Sequence, residues 1–420
     1  MIEIKPVKKI NAVIKVPGSK SYTNRALIIG ALADGNTVIN NALFSDDTKY
    51  MISALTDLGI DVAEDKDNRK IFVNGHGGKI PCKSSNLFVG NAGTAMRFLT
   101  AMLTTSNGVY IIDGVERMRS RPIEDLLNGL NQLGGNVSST NGTGCPPVTI
   151  KPGPLKGGTC KIKGNLSSQY ISAILMAAPY ACTSDVTINI DGNLVSRKYV
   201  DMTLALMKHF GVCVENNSYE NFIIKRNQQY TAKEYYVEAD ASSASYFFAA
   251  AAITGGTVKI EGLGHNSIQG DICFVDLLEK MGCEVKKGDD FIELHGGKLK
   301  GIDVDMSNMP DVAQTLAAVA VFAEGKTRVR NVANLRIKET DRIAGVANEL
   351  QRIGVKCIEH NDGFEIEPST PHSAEIETYD DHRMAMSFAL IGLVVDGIKI
   401  KNPECVSKTF PGFFEELEKL

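Results

Sequence analysis

With 420 residues, 49 acidic against 45 basic side chains and a formal charge of −4, the chain exceeds one ordinary core and lacks the global positive field that holds nucleic acid or an anionic membrane surface. Any grip on an acidic ligand has to come from local clusters. Nine cysteines without Cys-x-x-Cys or a zinc-like Cys/His spacing point to free thiols in a reducing compartment. The first residues, Met1-Ile-Glu-Ile-Lys-Pro, lack the apolar core of an export signal, and the longest apolar run, 316–323, is far below the roughly 20 residues that span a bilayer. A cytoplasmic chain without metal, cofactor or membrane contact is expected.

The chain opens on an apolar strand, Ile10–Val16, and turns at Pro17-Gly18-Ser19-Lys20-Ser21-Tyr22-Thr23-Asn24-Arg25 into an Ala/Leu-rich helix, with Lys20 before the helix and Arg25 one turn inside it. One pattern then repeats at intervals of about 70 residues. A turn and a short β-branched strand occur at Gly35-Asn-Thr-Val-Ile, Gly108-Val-Tyr-Ile-Ile, Asp185-Val-Thr-Ile-Asn, Gly256-Thr-Val-Lys-Ile, Gly325-Lys-Thr-Arg-Val and Gly397-Ile-Lys-Ile. The helix after each of the first five closes on an apolar residue and glycine: Leu58-Gly59, Leu133-Gly134, Phe210-Gly211, Met281-Gly282 and Ile353-Gly354. Those glycines read as C-caps. An alternating strand pair follows, such as 60–63 and 70–74, then another strand and an Ala-rich helix.

The sixth copy stops at Leu420 without its closing strands, so the spare N-terminal strand is expected to complete a C-terminal unit. The expected fold is α/β, with two similar lobes of three repeated βαβαββ units each. Helices that are apolar nearly all round, such as 244–253 and 313–323, lie inside, and the sheets lie outside. One lobe is discontinuous, residues 1–18 and 240–420. The other, 19–239, is inserted into it, with hinges near Ser19 and Asp240 and the active site in the cleft between the lobes.

Six equivalent units place their strand-to-helix turns equivalently. The turns are Gly18-Ser-Lys20-Ser21, Gly90-Asn91-Ala-Gly93-Thr94, Gly164-Asn-Leu-Ser167-Ser168-Gln169, Ala239-Asp240-Ala-Ser-Ser, Asn308-Met-Pro310-Asp311 and Tyr379-Asp-Asp-His382-Arg383. A helix start offers unpaired N–H groups and the positive end of a dipole, an anion site. Ordinary capping accounts for small polar residues there, including most of Ser242, Ser243 and Asp380. It does not account for Lys20, Arg97 or Arg383. The second helices begin with a further set of cations: Arg117-Met-Arg119-Ser-Arg121-Pro122, Val195-Ser196-Arg197-Lys198-Tyr199, Asn334-Leu-Arg336-Ile-Lys338-Glu339-Thr-Asp341-Arg342 and Ser407-Lys408-Thr409-Phe410-Pro411. Pro122 suits a first helical turn and would hold Arg121 at that helix's N-terminus. Cations there oppose the dipole by about 0.3–1 kcal/mol each. They form either a solvated basic rim or a site for two anionic groups, at least one a phosphate. Asp311 is either a first-turn acid or an acid/base group, and Glu339 and Asp341 are either helix salt-bridge partners or proton carriers.

Taken together, Pro17 to Arg25, Gly90-Asn-Ala-Gly-Thr-Ala-Met-Arg97, Arg121-Pro122, Ser167-Ser168-Gln169 and Lys338-Glu339-Thr-Asp-Arg342 resemble the 5-enolpyruvylshikimate-3-phosphate synthase family, over essentially the whole chain. The resemblance implies two inverse α/β lobes that close around shikimate 3-phosphate and phosphoenolpyruvate, with no metal or organic cofactor. By that likeness Ser21 and Arg25 hold the ring carboxylate, and Ser167, Ser168 and Ser196 hold the phosphate. Lys20, Gln169, Tyr199, Asp311, Asn334 and Lys338 complete the shikimate-phosphate side. Phosphoenolpyruvate falls to Lys20, Gly93, Gln169, Arg121, Arg342, His382, Arg383 and Lys408, supported by Asn91, Thr94 and Arg97. Lys20, Asp311 and Glu339 carry protons in an addition-elimination. The inserted lobe is expected to serve shikimate phosphate, the discontinuous lobe phosphoenolpyruvate and proton transfer. One departure is Phe98 after Arg97, where many members of that family have Pro.

The sister transferases acting on UDP-N-acetylglucosamine share the six-unit architecture but typically carry Lys-Asn after the first strand and a reactive Cys before Arg-Pro. Lys20-Ser21 and Val115-Glu-Arg-Met-Arg-Ser stand there in this chain. A non-catalytic repeat scaffold or nucleic-acid clamp would spread its cations over one face. The partners expected are two small anionic substrates and no nucleic acid, for a monomeric chain.

Overall fold

In a computed structural model that describes all residues, 1–420, the repeating pattern forms short strands and twelve α-helices. The helices are α1 (Lys20–Leu32), α2 (Asp46–Asp57), α3 (Gly93–Leu103), α4 (Glu124–Gln132), α5 (Ser168–Ala177), α6 (Arg197–His209), α7 (Ala241–Thr254), α8 (Phe274–Met281), α9 (Ala313–Ala320), α10 (Arg342–Arg352), α11 (His382–Gly392) and α12 (Phe413–Leu417). Contacts divide the chain into one unit of Met1–Pro17 with Glu238–Leu420 and another of Gly18–Val237. No helix is long and apolar enough to cross a membrane.

Five sheets have four strands in one common order, and the sixth has three. In the simplest case Ser84–Phe88 leads into α3 and lies parallel to Val109–Asp113, with Ser84 opposite Val109. A parallel pair needs a crossover of about a dozen residues, which α3 supplies. Val109–Asp113 then runs through α4 into the hairpin of Val137–Ser139 and Val148–Ile150, whose second strand returns antiparallel beside it. Gly158–Lys163 with Val186–Asp191, and Asp303–Asp305 with Thr327–Arg330, repeat the arrangement.

Two sheets exchange their leading strands. Asn11–Ile14 runs on into α1, yet it lies parallel to Thr257–Glu261, the strand after α7. Glu234–Tyr236 precedes α7, yet it lies parallel to Asp34–Asn40, the strand after α1. The spare N-terminal strand therefore enters the sheet of the fourth copy. The sixth sheet, Ala374–Ile376 with Ile398–Ile400, gains only Ile2–Glu3, antiparallel to Ile398–Ile400.

The helix following each leading strand is buried almost all round: every residue of α3, α9 and α11, and all but three of the fourteen in α7. Such helices have no polar face and stay ordered only by being covered on every side. In the first unit α7, α9 and α11 pack against one another. Their small side chains allow close approach, and Ser245, Thr315 and Ser387, one from each helix, place their hydroxyls 3.4 Å apart in sequence. The intervening helices α2, α4, α6, α8 and α10 end where expected, with Gly59, Gly134, Gly211, Gly282 and Gly354 at φ between 81° and 116°, a region that costs glycine little.

Gly75 shows how tightly the strands seat these helices. A Cβ there would lie 2.2 Å from the carbonyl oxygen of Gly30 and 2.4 Å from that of Ala33, backbone atoms that cannot rotate away. Gly75→Ala is expected to cost about 2–3 kcal/mol, an overpacking penalty at the upper end of the usual range, read as a lowered midpoint in urea unfolding.

Candidate functional site

The polar turns at the helix starts carry two sets of charged residues, one in each unit. In Gly18–Val237, Lys20 is the first residue of α1 rather than preceding it, and its Nζ lies 3.2 Å from Asp47 near the start of α2. Arg25, in the second turn of α1, is 2 % exposed. Four of its five donors are engaged: Nε to Thr203 Oγ1 at 2.7 Å, Nη1 to the Ser21 carbonyl at 2.9 Å, and Nη2 to Ser172 Oγ and the Tyr199 carbonyl. Its guanidinium sits 5.2 Å above the Phe98 ring, so the residue that departs from the common Arg-Pro sequence is packed against this cation. Burial pulls the Arg25 pKa down to about 10. It remains charged at neutral pH among neutral acceptors, a ready partner for a carboxylate.

A second cluster is built on α3. Arg121 Nη1 donates to both the carbonyl and the side-chain oxygen of Asn91 at 3.0 Å. Arg97 donates to the carbonyls of Gly93 and Pro122. Gly93 lies between them: a Cβ there would meet Arg121 Nη2 at 2.7 Å and Arg97 Nη1 at 2.8 Å. Thr94 is the next residue of α3 and is buried. Arg121 does not stand at a helix start as Pro122 suggested. It ends the 3-10 turn Met118–Ser120, and α4 begins only at Glu124. Ser167 caps α5, its hydroxyl accepting from the Gln169 amide at 3.2 Å, and Ser168 opens the helix. Ser196 precedes α6 with φ 55°, a left-handed conformation unusual for serine; Tyr199 follows in the first turn.

In the unit of Met1–Pro17 and Glu238–Leu420, the charges gather around Arg342, which is 2 % exposed. Its Nε donates to Asp381 Oδ2 at 2.7 Å, Nη1 to Asp311 Oδ1 at 3.2 Å and Nη2 to Glu339 Oε2 at 2.8 Å. Burial by itself would lower the Arg342 pKa, but the three carboxylates outweigh it and the net movement is upward. Arg383 Nη2 donates to Asp311 Oδ2 at 2.9 Å, and Lys408 Nζ lies 3.9 Å from Glu339. His382, 1 % exposed, opens α11 with Nδ1 3.7 Å from Asp381. Asn334 and Lys338 lie on the 3-10 turn Ala333–Ile337 and at its end, just before Glu339.

Capping falls on different residues from those expected. Asp240 caps α7 through the Ser243 amide, and Asp381 caps α11 through the Arg383 amide. Asp341 caps the start of α10 and also pairs with Arg336 at 2.8 Å. Ser242 and Asp380 are not caps. The Ser242 hydroxyl donates to Asp271 Oδ2 and accepts from Arg383 Nη2 at 3.3 Å, and Asp380 accepts from Asn402. Asp271, in the 3-10 turn Gly270–Cys273, drew no attention in the sequence, where Gln269-Gly-Asp271 stands clear of any charged run. Burial, then the charge of Asp311, lift its carboxyl to about 6, partly offset by Arg383 and the Ser242 hydrogen bond.

Replacing Arg342 by Met would leave Asp381, Asp311 and Glu339 buried beside an apolar chain. The expected loss is about 3–5 kcal/mol, seen in thermal unfolding, with Arg342→Lys recovering less than half because one ammonium lacks the guanidinium fork. For Asp271 the sign is opposite. Its folded pKa lies above the unfolded value, so the native state binds more protons and stability falls as pH rises from about 4 to 6. Asp271→Asn should therefore unfold at a higher temperature than the parent at pH 7.5, with the difference shrinking as pH drops through that window.

The family model described as EPSP synthase (3-phosphoshikimate 1-carboxyvinyltransferase) matches residues 4–417. The 3-phosphoshikimate 1-carboxyvinyltransferase of Shewanella sediminis is 48 % identical over 422 residues, covering 100 % of this chain and 99 % of its own length. The chloroplastic 3-phosphoshikimate 1-carboxyvinyltransferase of Solanum lycopersicum is also 48 % identical, covering 100 % of this chain and 84 % of its own. Among solved structures, EPSP synthase from Acinetobacter baumannii superposes with a TM-score of 0.83 at 29 % sequence identity, over 99 % of this chain and 97 % of that one. Matched from end to end in sequence and in backbone, the chain belongs to the EPSP synthase family.

Proposed function

We propose that this chain transfers the enolpyruvyl group of phosphoenolpyruvate to the 5-hydroxyl of shikimate 3-phosphate and releases phosphate. The hydroxyl oxygen attacks C2 of phosphoenolpyruvate while C3 takes a proton. The resulting tetrahedral intermediate then breaks its C2–O bond to phosphate as C3 returns a proton. Asp311, Glu339 and Lys20 carry those protons. The observation that bears most weight is that Asp311 and Glu339 hang from the two ends of one guanidinium, that of Arg342. Two carboxylates fixed on a single cation are oriented before any ligand arrives, as proton transfer requires.

Shikimate 3-phosphate is assigned to Ser21, Arg25, Ser167, Ser168, Gln169, Ser196 and Tyr199, with Asn334, Lys338 and Asp311. Arg25 supports this assignment because it is buried, charged and faced by neutral acceptors. Phosphoenolpyruvate is assigned to Lys20, Asn91, Gly93, Thr94, Arg97, Arg121, Gln169, Arg342, His382, Arg383 and Lys408. Gly93 supports that side, since a Cβ there would press on the guanidinium groups of both Arg97 and Arg121 where they come together. Each unit is read as a three-fold inverse α/β barrel. The steps use the chain's own side chains.

Phosphate release from phosphoenolpyruvate should require shikimate 3-phosphate, with no release from either compound alone or with UDP-N-acetylglucosamine in its place. Release independent of shikimate 3-phosphate would end the reading. Asp311→Ala and Glu339→Ala should each lose more than about tenfold in turnover, and near-normal turnover in either would remove that residue from proton transfer. Gly93→Ala should raise the KM for phosphoenolpyruvate with a smaller change in kcat, measured at saturating shikimate 3-phosphate.

A further inference from the structure

Asp271 is buried, lies outside every residue assigned above, and is joined to one of them through a single hydroxyl. Its turn is anchored: the side chain of Gln269 accepts from the Ala241 amide at 3.2 Å and donates to the Ala239 carbonyl at 2.7 Å, clamping the turn to the start of α7. That clamp brings Asp271 Oδ2 onto the Ser242 hydroxyl, which donates to it. A serine has one proton. Once it is committed to Asp271, the lone pairs of Ser242 Oγ are what Arg383 Nη2 meets at 3.3 Å. The same Nη2 donates to Asp311 Oδ2 at 2.9 Å, and Nη1 reaches the Tyr246 hydroxyl at 3.4 Å.

We propose that Asp271 is a positioning residue that aims the guanidinium of Arg383 at its anionic ligand by fixing the proton of Ser242. The inference rests on the reading of Arg383 as a phosphoenolpyruvate-binding group. Without Asp271, the Ser242 proton is free to turn toward the guanidinium, where it repels, and the hold of Ser242 on Arg383 is lost. It then leans on Asp311, the carboxylate that an incoming phosphate or carboxylate must share it with. The charged and titratable groups around Asp271 are Asp240 at the head of α7, Asp311 before α9 and Arg383 in α11. Among them Ser242 is the bridge to Arg383, so removing either Asp271 or Ser242 breaks the same link.

The test is a double-mutant cycle on the full chain, read as steady-state KM and kcat for phosphoenolpyruvate at saturating shikimate 3-phosphate. Asp271→Ala and Ser242→Ala should each raise KM about tenfold with kcat falling less than about threefold. The double variant should be no worse than either single one, because both cut one connection. Asp271→Asn, which keeps an acceptor for the hydroxyl, should recover most of the parent KM. Additive effects in the double variant, or a parent-like KM in folded Asp271→Ala, would overturn the proposal. If the parent chain turns nothing over, the functional reading fails by itself. The link is then read from the rise in unfolding temperature that inorganic phosphate produces: a rise lost equally in both single variants and in the double supports it, and a rise kept in Asp271→Ala refutes it.

Discussion

A guanidinium that is 2 % exposed has given up nearly all its water and has to find acceptors within the protein. Arg342 finds three carboxylates, Asp311, Glu339 and Asp381, on its three nitrogens. Arg383 and Lys408 share two of them. The six charges balance, so the cations that the sequence concentrates here are not bare, and repulsion between them is already relieved inside this unit. An anionic ligand bound here would have to compete for donors that the carboxylates hold. Asp381 is the fixed point, since it binds Arg342 and caps α11 with the same side chain. The other two carboxylates are each shared with a second cation, Asp311 with Arg383 and Glu339 with Lys408.

The backbone prepares this arrangement. A strand, a crossover helix and a parallel strand place each helix start at the carboxyl end of the leading strand, where peptide N–H groups are unpaired and ligands of α/β sheets commonly bind. Repeating the unit multiplies such places without lengthening any loop. The two units differ in how they use them. Around α9, α10 and α11 the turns carry acid and base together, whereas around α1, α3 and α5 the arginines rest on hydroxyls, carbonyls and an amide. The first arrangement suits proton movement beside an anion and the second recognition of one, with the Lys20–Asp47 pair as the acid-base exception there.

Periodicity and turn chemistry made the elements legible: six β-branched strands, five glycine C-caps and six polar helix starts lie where residue pattern alone puts them. The exchange of Asn11–Ile14 and Glu234–Tyr236 between sheets is a long-range pairing, and no local signal specifies a partner that far along the chain. Arg121 was misplaced because Pro122 reads as a first-turn residue, while a 3-10 turn absorbs it before α4 starts. Capping went astray by one or two positions at Ser242 and Asp380, since several adjacent side chains were equally suited and tertiary contacts chose among them. Asp271 carried no signal. Its surroundings come from three other segments, the start of α7, the turn before α9, and α11, and only their packing makes it a buried acid.

The exchanged strands also impose an order on assembly. The segment from Gly18 to Val237 contains every partner it pairs with, so it can complete its three sheets as soon as it leaves the ribosome. Asn11–Ile14 has its neighbour at Thr257–Glu261 and must wait, unpaired, until that neighbour emerges. At synthesis rates of about 5–20 residues per second the wait lasts of the order of ten seconds or more, during which an apolar edge is open to wrong partners. Lys15 beside it and the short length of the strand limit that hazard, and Asn11–Ile14 is locked in only after the whole of Gly18–Val237 has been made.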